Sequence, residues 1–132
     1  MLYLRRVLIK QLGMMIVGTL ATRAKPNERS ANIVKLTTLK VAGVQYGECA
    51  DTVFVPDEPL RLVPEPSNPY DRYAVAIYRR DARVGYIPRT NSRMVASLIQ
   101  SGMQLHATVR YFKPDKEPWE RLWVSVWMEQ NG

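Results

Sequence analysis

The tetrapeptide Asn68-Pro69-Tyr70-Asp71 sets a turn-forming amide, a rigid proline, an aromatic ring and a carboxylate within four residues. Two kinds of work suit that set. Asn and Asp side chains can hold a tight turn by bonding nearby backbone groups, with Tyr70 merely covering the domain. Alternatively the ring is a stacking platform, and the carboxylate accepts a hydrogen bond from a ligand. The sequence leaves both open.

Little else in the chain resembles catalytic apparatus. Cys49 is the only cysteine and His106 the only histidine. A disulfide framework and a zinc site, which needs three or four such ligands, are therefore not expected. The acidic residues are scattered and form no calcium-type ligand loop. His106 has no Ser or Cys nucleophile at a recognisable spacing, and no Gly-rich phosphate loop is present. The expectation is a binding module with no catalytic residue, metal or cofactor.

The elements that must position the tetrapeptide are mostly strands. Residues 33–46 form a β-prone run, and Gly43 within it suggests a bulge that re-aims Gln45 and Tyr46. A short strand over 60–63 is bracketed by Pro59 and Pro64, and Pro64, Pro66 and Pro69 stiffen the link to a strand over 73–79. The polar Arg80-Asp81-Ala82-Arg83 joins this to a strand at 84–87 as a hairpin. After Pro88, Thr90 or Asn91 can cap a helix whose Met94, Val95, Leu98 and Ile99 share a face, and Gly102 ends it. Residues 103–112 alternate with period two, leaving His106 on the polar side as a solvated residue. The last strand, 122–126, turns Val124 inward and Trp123 and Trp127 the other way; with Trp119, these tryptophans read as packing under a loop rather than stacking on bases. About six strands and one clear helix result.

At 132 residues there is room for one domain, placed at 33–130 after a polar, turn-rich linker at 25–32. Residues 1–24 have a charged front, an apolar centre and a small-residue end, the three parts of an export signal. Arg5-Arg6 with Lys10 resembles the twin-arginine type, which implies an exported or periplasmic protein. The alternative is an amino-terminal helix with Leu4, Leu8, Leu12 and Met15 on one stripe, and a cytoplasmic location. No apolar run is long enough to span a membrane in the mature chain. The formal charge of +7 favours an anionic partner. Four of its basic residues and no acidic ones fall in 1–24, so the domain itself is only mildly basic.

The stretch Leu60 to Val75, containing Pro64-Glu65-Pro66-Ser67-Asn68-Pro69-Tyr70-Asp71, with Gly85-Tyr86-Ile87-Pro88 downstream, resembles the core pattern of the HIRAN domain family. The match extends back to Val41-Ala42-Gly43-Val44-Gln45-Tyr46. It covers most of residues 39–127, and Glu117-Pro118-Trp119-Glu120-Arg121 is similar to stand-alone bacterial members. The resemblance implies a mainly β, small OB-like barrel with one or two short helices. It also implies a pocket for the free 3′ end of single-stranded DNA, in which Tyr46 and Tyr70 stack on terminal bases, Asp71 accepts the terminal hydroxyl and Asn68 lines the wall. Gln45 stands where the DNA-binding pattern has arginine, Gly47 where it has tyrosine and Tyr86 where it has histidine. A phosphate-pairing cation is then left to Arg61, Arg72, Arg89 or Arg93. The competing expectation, drawn from the export-like amino terminus, is a barrel that binds a peptide or a cell-envelope partner without DNA.

Overall fold

The computed structural model describes residues 32–130. The export-signal and helix readings of residues 1–24, and linker residues 25–31, lie outside the described residues. Six strands form one sheet: β1 (Ile33–Lys40), β2 (Pro59–Pro64), β3 (Val75–Arg79), β4 (Ala82–Tyr86), β5 (Gln104–Phe112) and β6 (Leu122–Glu129). Helix α1 spans Arg89–Gln100, and single 3-10 turns occupy Val44–Tyr46 and Pro118–Glu120.

The sheet order is β1-β6-β5-β2-β3-β4. β2 turns the corner between its halves. Pro59 and Leu60 pair with Thr108 and Ala107 of β5, and Arg61 to Pro64 pair with Tyr78 to Val75 of β3. Proline has no N–H for a ladder, so the two prolines sit where β2 joins one neighbour and leaves the other. The sheet is not closed by a continuous ladder, as in an open OB-like barrel. Among the described residues its edges meet at one bridge, in which Ala42 and Tyr86 exchange two backbone hydrogen bonds of 2.9 and 2.8 Å.

Val75, Ile77, Val84, Val109, Val124 and Val126 are almost completely buried and fill the interior from four strands. At about 1.5–3 kcal/mol for each buried aliphatic side chain, they are a main driving force for this fold. α1 adds Val95 and Ala96 to the same core.

Several boundaries differ from expectation for local reasons. The first strand stops at Lys40, because Gly43 takes a left-handed φ of 72° and throws the chain into the 3-10 turn. α1 begins at Arg89, with Pro88 as its flanking residue and no side-chain cap; Thr90 donates to the Asn91 side chain instead. Its buried stripe is Ser92, Val95, Ala96 and the partly buried Ile99, whereas Met94 is 43% exposed. Gly102, at φ 95°, terminates it with N–H bonds from Gly102 to Ile99 and from Met103 to Leu98. A bulge between Val109 and Tyr111 breaks the expected alternation and turns Tyr111 outward, 43% exposed.

Candidate functional site

The site straddles the Ala42–Tyr86 bridge. On the β1 side, buried Val44 anchors the 3-10 turn, while Tyr46 projects outward and is 78% exposed. On the β4 side, Arg83 holds this turn in place. Its Nη2 donates to the Tyr46 carbonyl at 3.2 Å, and its guanidinium lies 5.5 Å from the centre of the Tyr86 ring. The Arg83 N–H donates to the Glu48 carboxylate at 2.6 Å, and Glu48 N–H donates back to the Arg83 carbonyl. Two buried atoms of this wall, Gln45 Oε1 and Arg83 Nε, have no hydrogen-bond partner among the described residues.

The opposite wall is the loop between β2 and β3, and Glu65 is its hub. Glu65 Oε1 accepts from both the Tyr86 hydroxyl at 2.9 Å and Asn68 Nδ2 at 3.0 Å. Asn68, held this way, offers its Oδ1 to the N–H groups of Tyr70 and Asp71. Asp71 Oδ1 in turn accepts from Tyr73 N–H at 2.9 Å. The tetrapeptide is therefore a side-chain-braced turn. Tyr70 nonetheless does not cover the domain: it is 86% exposed. The turn chemistry serves to present the ring rather than to replace its role.

The second carboxylate oxygen of Asp71 makes only long contacts, to Ser92 Oγ at 3.5 Å and Arg89 Nε at 3.7 Å. It retains acceptor capacity toward solvent. Arg89 also donates to the Tyr70 carbonyl at 2.6 Å, and its side chain is 75% exposed. Burial, followed by the hydrogen bond to Glu65, pushes the Tyr86 hydroxyl pKa upward and keeps it a donor.

Of the four arginines considered for a phosphate contact, Arg89 is the one bonded to the tetrapeptide. Arg61 donates to the Arg80 carbonyl and lies over Tyr78, and Arg72 and Arg93 both lie over Tyr73. Tyr46, Asn68, Tyr70, Asp71 and Tyr86 are joined through Arg83, Glu65 and Arg89, and Gln45 sits within the first wall. Glu65 and Arg83 escaped the sequence reading. The visible sign for Glu65 was its place between two prolines at the end of a strand, whereas nothing local marked Arg83.

His106 departs from its expected solvated state. It is partly buried opposite Trp127, and that burial pushes its pKa below the ordinary 6.5, with Glu129 acting weakly the other way. Trp123 and Trp127 are partly buried, and Trp127 Nε1 donates to Thr108 Oγ1 at 2.8 Å. Trp119 is 48% exposed. Among the described residues no cluster of three metal-binding side chains occurs, and no helix is long and apolar enough to cross a membrane.

The arrangement offers two outward aromatic rings, a carboxylate with a free lone pair and an exposed guanidinium. The HIRAN domain family model matches residues 34–130, so this chain belongs to the HIRAN domain family. Among solved structures it is similar to a protein from Lactobacillus plantarum, with 26% identity, a TM-score of 0.64, and coverage of 73% of this chain and 94% of that one. It is also similar in fold to the HIRAN domain of human HLTF, with 20% identity, a TM-score of 0.57, and coverage of 76% and 83%. Comparison with curated proteins gives no match.

Proposed function

We propose that this chain is a non-catalytic nucleic-acid-binding module that receives the 3′ end of a single DNA strand. The observation that carries the reading is that Tyr46 and Tyr70 stand 78% and 86% exposed on walls tied into one hydrogen-bonded frame. Large aromatic rings left in water on braced backbone suit base stacking, at about 1–3 kcal/mol per base regardless of sequence. Family membership and the HLTF likeness support the nucleic-acid class of partner.

The chemistry at the end follows from Asp71. Its Oδ2 accepts a hydrogen bond from a terminal hydroxyl, a charge-assisted contact, and repels a phosphate at the same place. Arg89 beside it pairs with the phosphate preceding the last sugar. Gln45 supplies a neutral amide where the family pattern places a cation, and Arg83 stays engaged with the turn.

Fluorescence titration with oligonucleotides ending in a 3′-hydroxyl or a 3′-phosphate tests the reading. Preference for the hydroxyl, with affinity that falls as salt rises, is expected. Equal binding of both ends removes the role of Asp71. Negligible, salt-insensitive binding removes the nucleic-acid reading and favours an exported peptide- or envelope-binding barrel.

A further inference from the structure

The sheet carries a second aromatic surface. Leu122, Val124 and Val126 of β6 join the core cluster, so Trp123, Ser125 and Trp127 lie on the opposite side, where Ser125 is buried, the two tryptophans are half-buried and Tyr111 of β5 is 43% exposed. β5 places Tyr111 beside Trp123, Thr108 beside Ser125 and His106 beside Trp127. On β1, Thr38 Oγ1 meets Ser125 Oγ at 3.3 Å and fixes that strand alongside. Cations stand over the rings: Lys35 5.5 Å from the centre of Trp127, Lys40 5.9 Å from Trp123, and Arg110 and Lys113 4.4 and 5.6 Å from Tyr111. The carboxylate of this face is Glu129, at the far end opposite Gln104, and Asp115 and Glu117 belong to the β5–β6 loop.

Charge and ring chemistry together select the occupant. Among the described residues, four cations against one peripheral carboxylate call for an anion, and the rings beside those cations call for flat unsaturated groups rather than an acidic peptide. Trp123 and Trp127 are four residues apart on one strand, about 13 Å, which leaves room for more than one base. The stripe starts near the pocket. Lys40 lies two residues before Ala42, the residue bridged to Tyr86, and Leu122 beside Trp123 accepts the Val41 N–H.

We propose that this face is a sequence-tolerant contact for single-stranded nucleic acid, holding nucleotides that lie 5′ of the end bound at Tyr46 and Tyr70. The polarity rests on the end-binding reading above; affinity of the stripe for a single strand does not.

Anisotropy titrations with 3′-hydroxyl DNA strands of four and twelve nucleotides separate the two. The native chain is expected to bind the longer strand about tenfold more tightly. The variant carrying Lys35→Ser, Lys40→Ser and Lys113→Ser is expected to lose that gain and lower the salt slope by about two, while retaining four-nucleotide affinity and its melting temperature. Equal affinity of the native chain for both lengths, or a full length gain in the triple variant, overturns the stripe. A twelve-nucleotide strand bound equally with a blocked 3′ end, but weakened by the triple substitution, supports the stripe and removes the end pocket.

Discussion

Tyr86 donates its phenolic hydrogen to the same Glu65 oxygen that holds the Asn68 side-chain amide. One carboxylate thus connects β4 to the loop that presents Tyr70. Tyr86→Phe keeps the ring beneath Arg83 and removes one donor, so a stability loss of about 1 kcal/mol is expected in urea denaturation. Glu65→Ala releases both donors and unbraces Asn68; it is expected to weaken oligonucleotide binding more than Tyr86→Phe does. Equal affinities for the two variants would separate the brace from binding.

Tyr46→Ala and Tyr70→Ala remove rings that contribute little packing. Each is expected to change stability by less than about 0.5 kcal/mol. If each ring stacks on a base, each substitution lowers single-strand affinity by about 1–3 kcal/mol, read by titration. The split between intact melting and lost affinity marks a surface kept for a partner.

Asp71→Asn preserves an oxygen for the Tyr73 N–H and removes the charge. Discrimination between hydroxyl and phosphate ends is expected to shrink, chiefly through improved binding of the phosphate end, because the repulsion is gone. Competition titration with the two oligonucleotides reads this directly.

Glu58 and Arg79 form a second ion pair among the described residues, with Arg79 Nε 2.5 Å from Glu58 Oε2 and Nη2 donating to both Glu58 Oε1 and the Val53 carbonyl. Burial acts to raise the Glu58 pKa, but hydrogen bonds from Arg79 and Val55 and the Arg79 charge outweigh it and hold the carboxyl below its ordinary 4.5. The stabilisation is therefore present above pH 4.5 and lost as pH falls through the folded-state value, since the unfolded chain binds the proton first. Glu58→Gln is expected to cost about 1–3 kcal/mol at pH 7, with a smaller difference from the native chain in strong acid. Thermal melts across pH 3–7 measure the convergence.

Gly47 passes so close to β4 that an added Cβ would lie 2.4 Å from the Val84 carbonyl oxygen and 2.9 Å from that of Arg83. Gly47→Ala must push apart backbone that carries the Glu48–Arg83 bond, and a loss of about 1–3 kcal/mol is expected. The bulky residue of the family pattern would require a displaced turn here, so glycine at this position reshapes the wall rather than merely omitting a ring. Comparing urea midpoints of the two chains checks this.

The fold was largely legible because its signals are local. The six strands, the hairpin at Arg80 and Asp81, and the stop at Gly102 each follow from period or turn chemistry within a few residues. The helix stripe was misread at Met94 because its true inner positions include Ser92 and small Ala96, which carry no hydrophobic signal. The site was legible only as far as residue type goes. Tyr46, Asn68, Tyr70 and Asp71 could be singled out by the family pattern, but the Arg83 contact to Tyr46 spans 37 positions and the Tyr86 contact to Glu65 spans 21. Such pairings arise from sheet order, which no local pattern encodes. The partial burial of His106 has the same origin, since Trp127 comes to it across the β5–β6 ladder.

The two backbone bonds between Ala42 and Tyr86 form the bridge at the sheet's edges, the Glu48–Arg83 and Arg83–Tyr46 bonds reinforce it, and one tyrosine platform is tied to each edge. On the end-binding proposal, a strand end held by both platforms would act as a latch across that seam. If an end is bound this way, the free energy of binding also resists parting of the edges, so occupancy and integrity of the seam are thermodynamically coupled. Conversely, a chain whose seam has loosened keeps both rings yet loses their shared grip, without a single altered residue in the pocket.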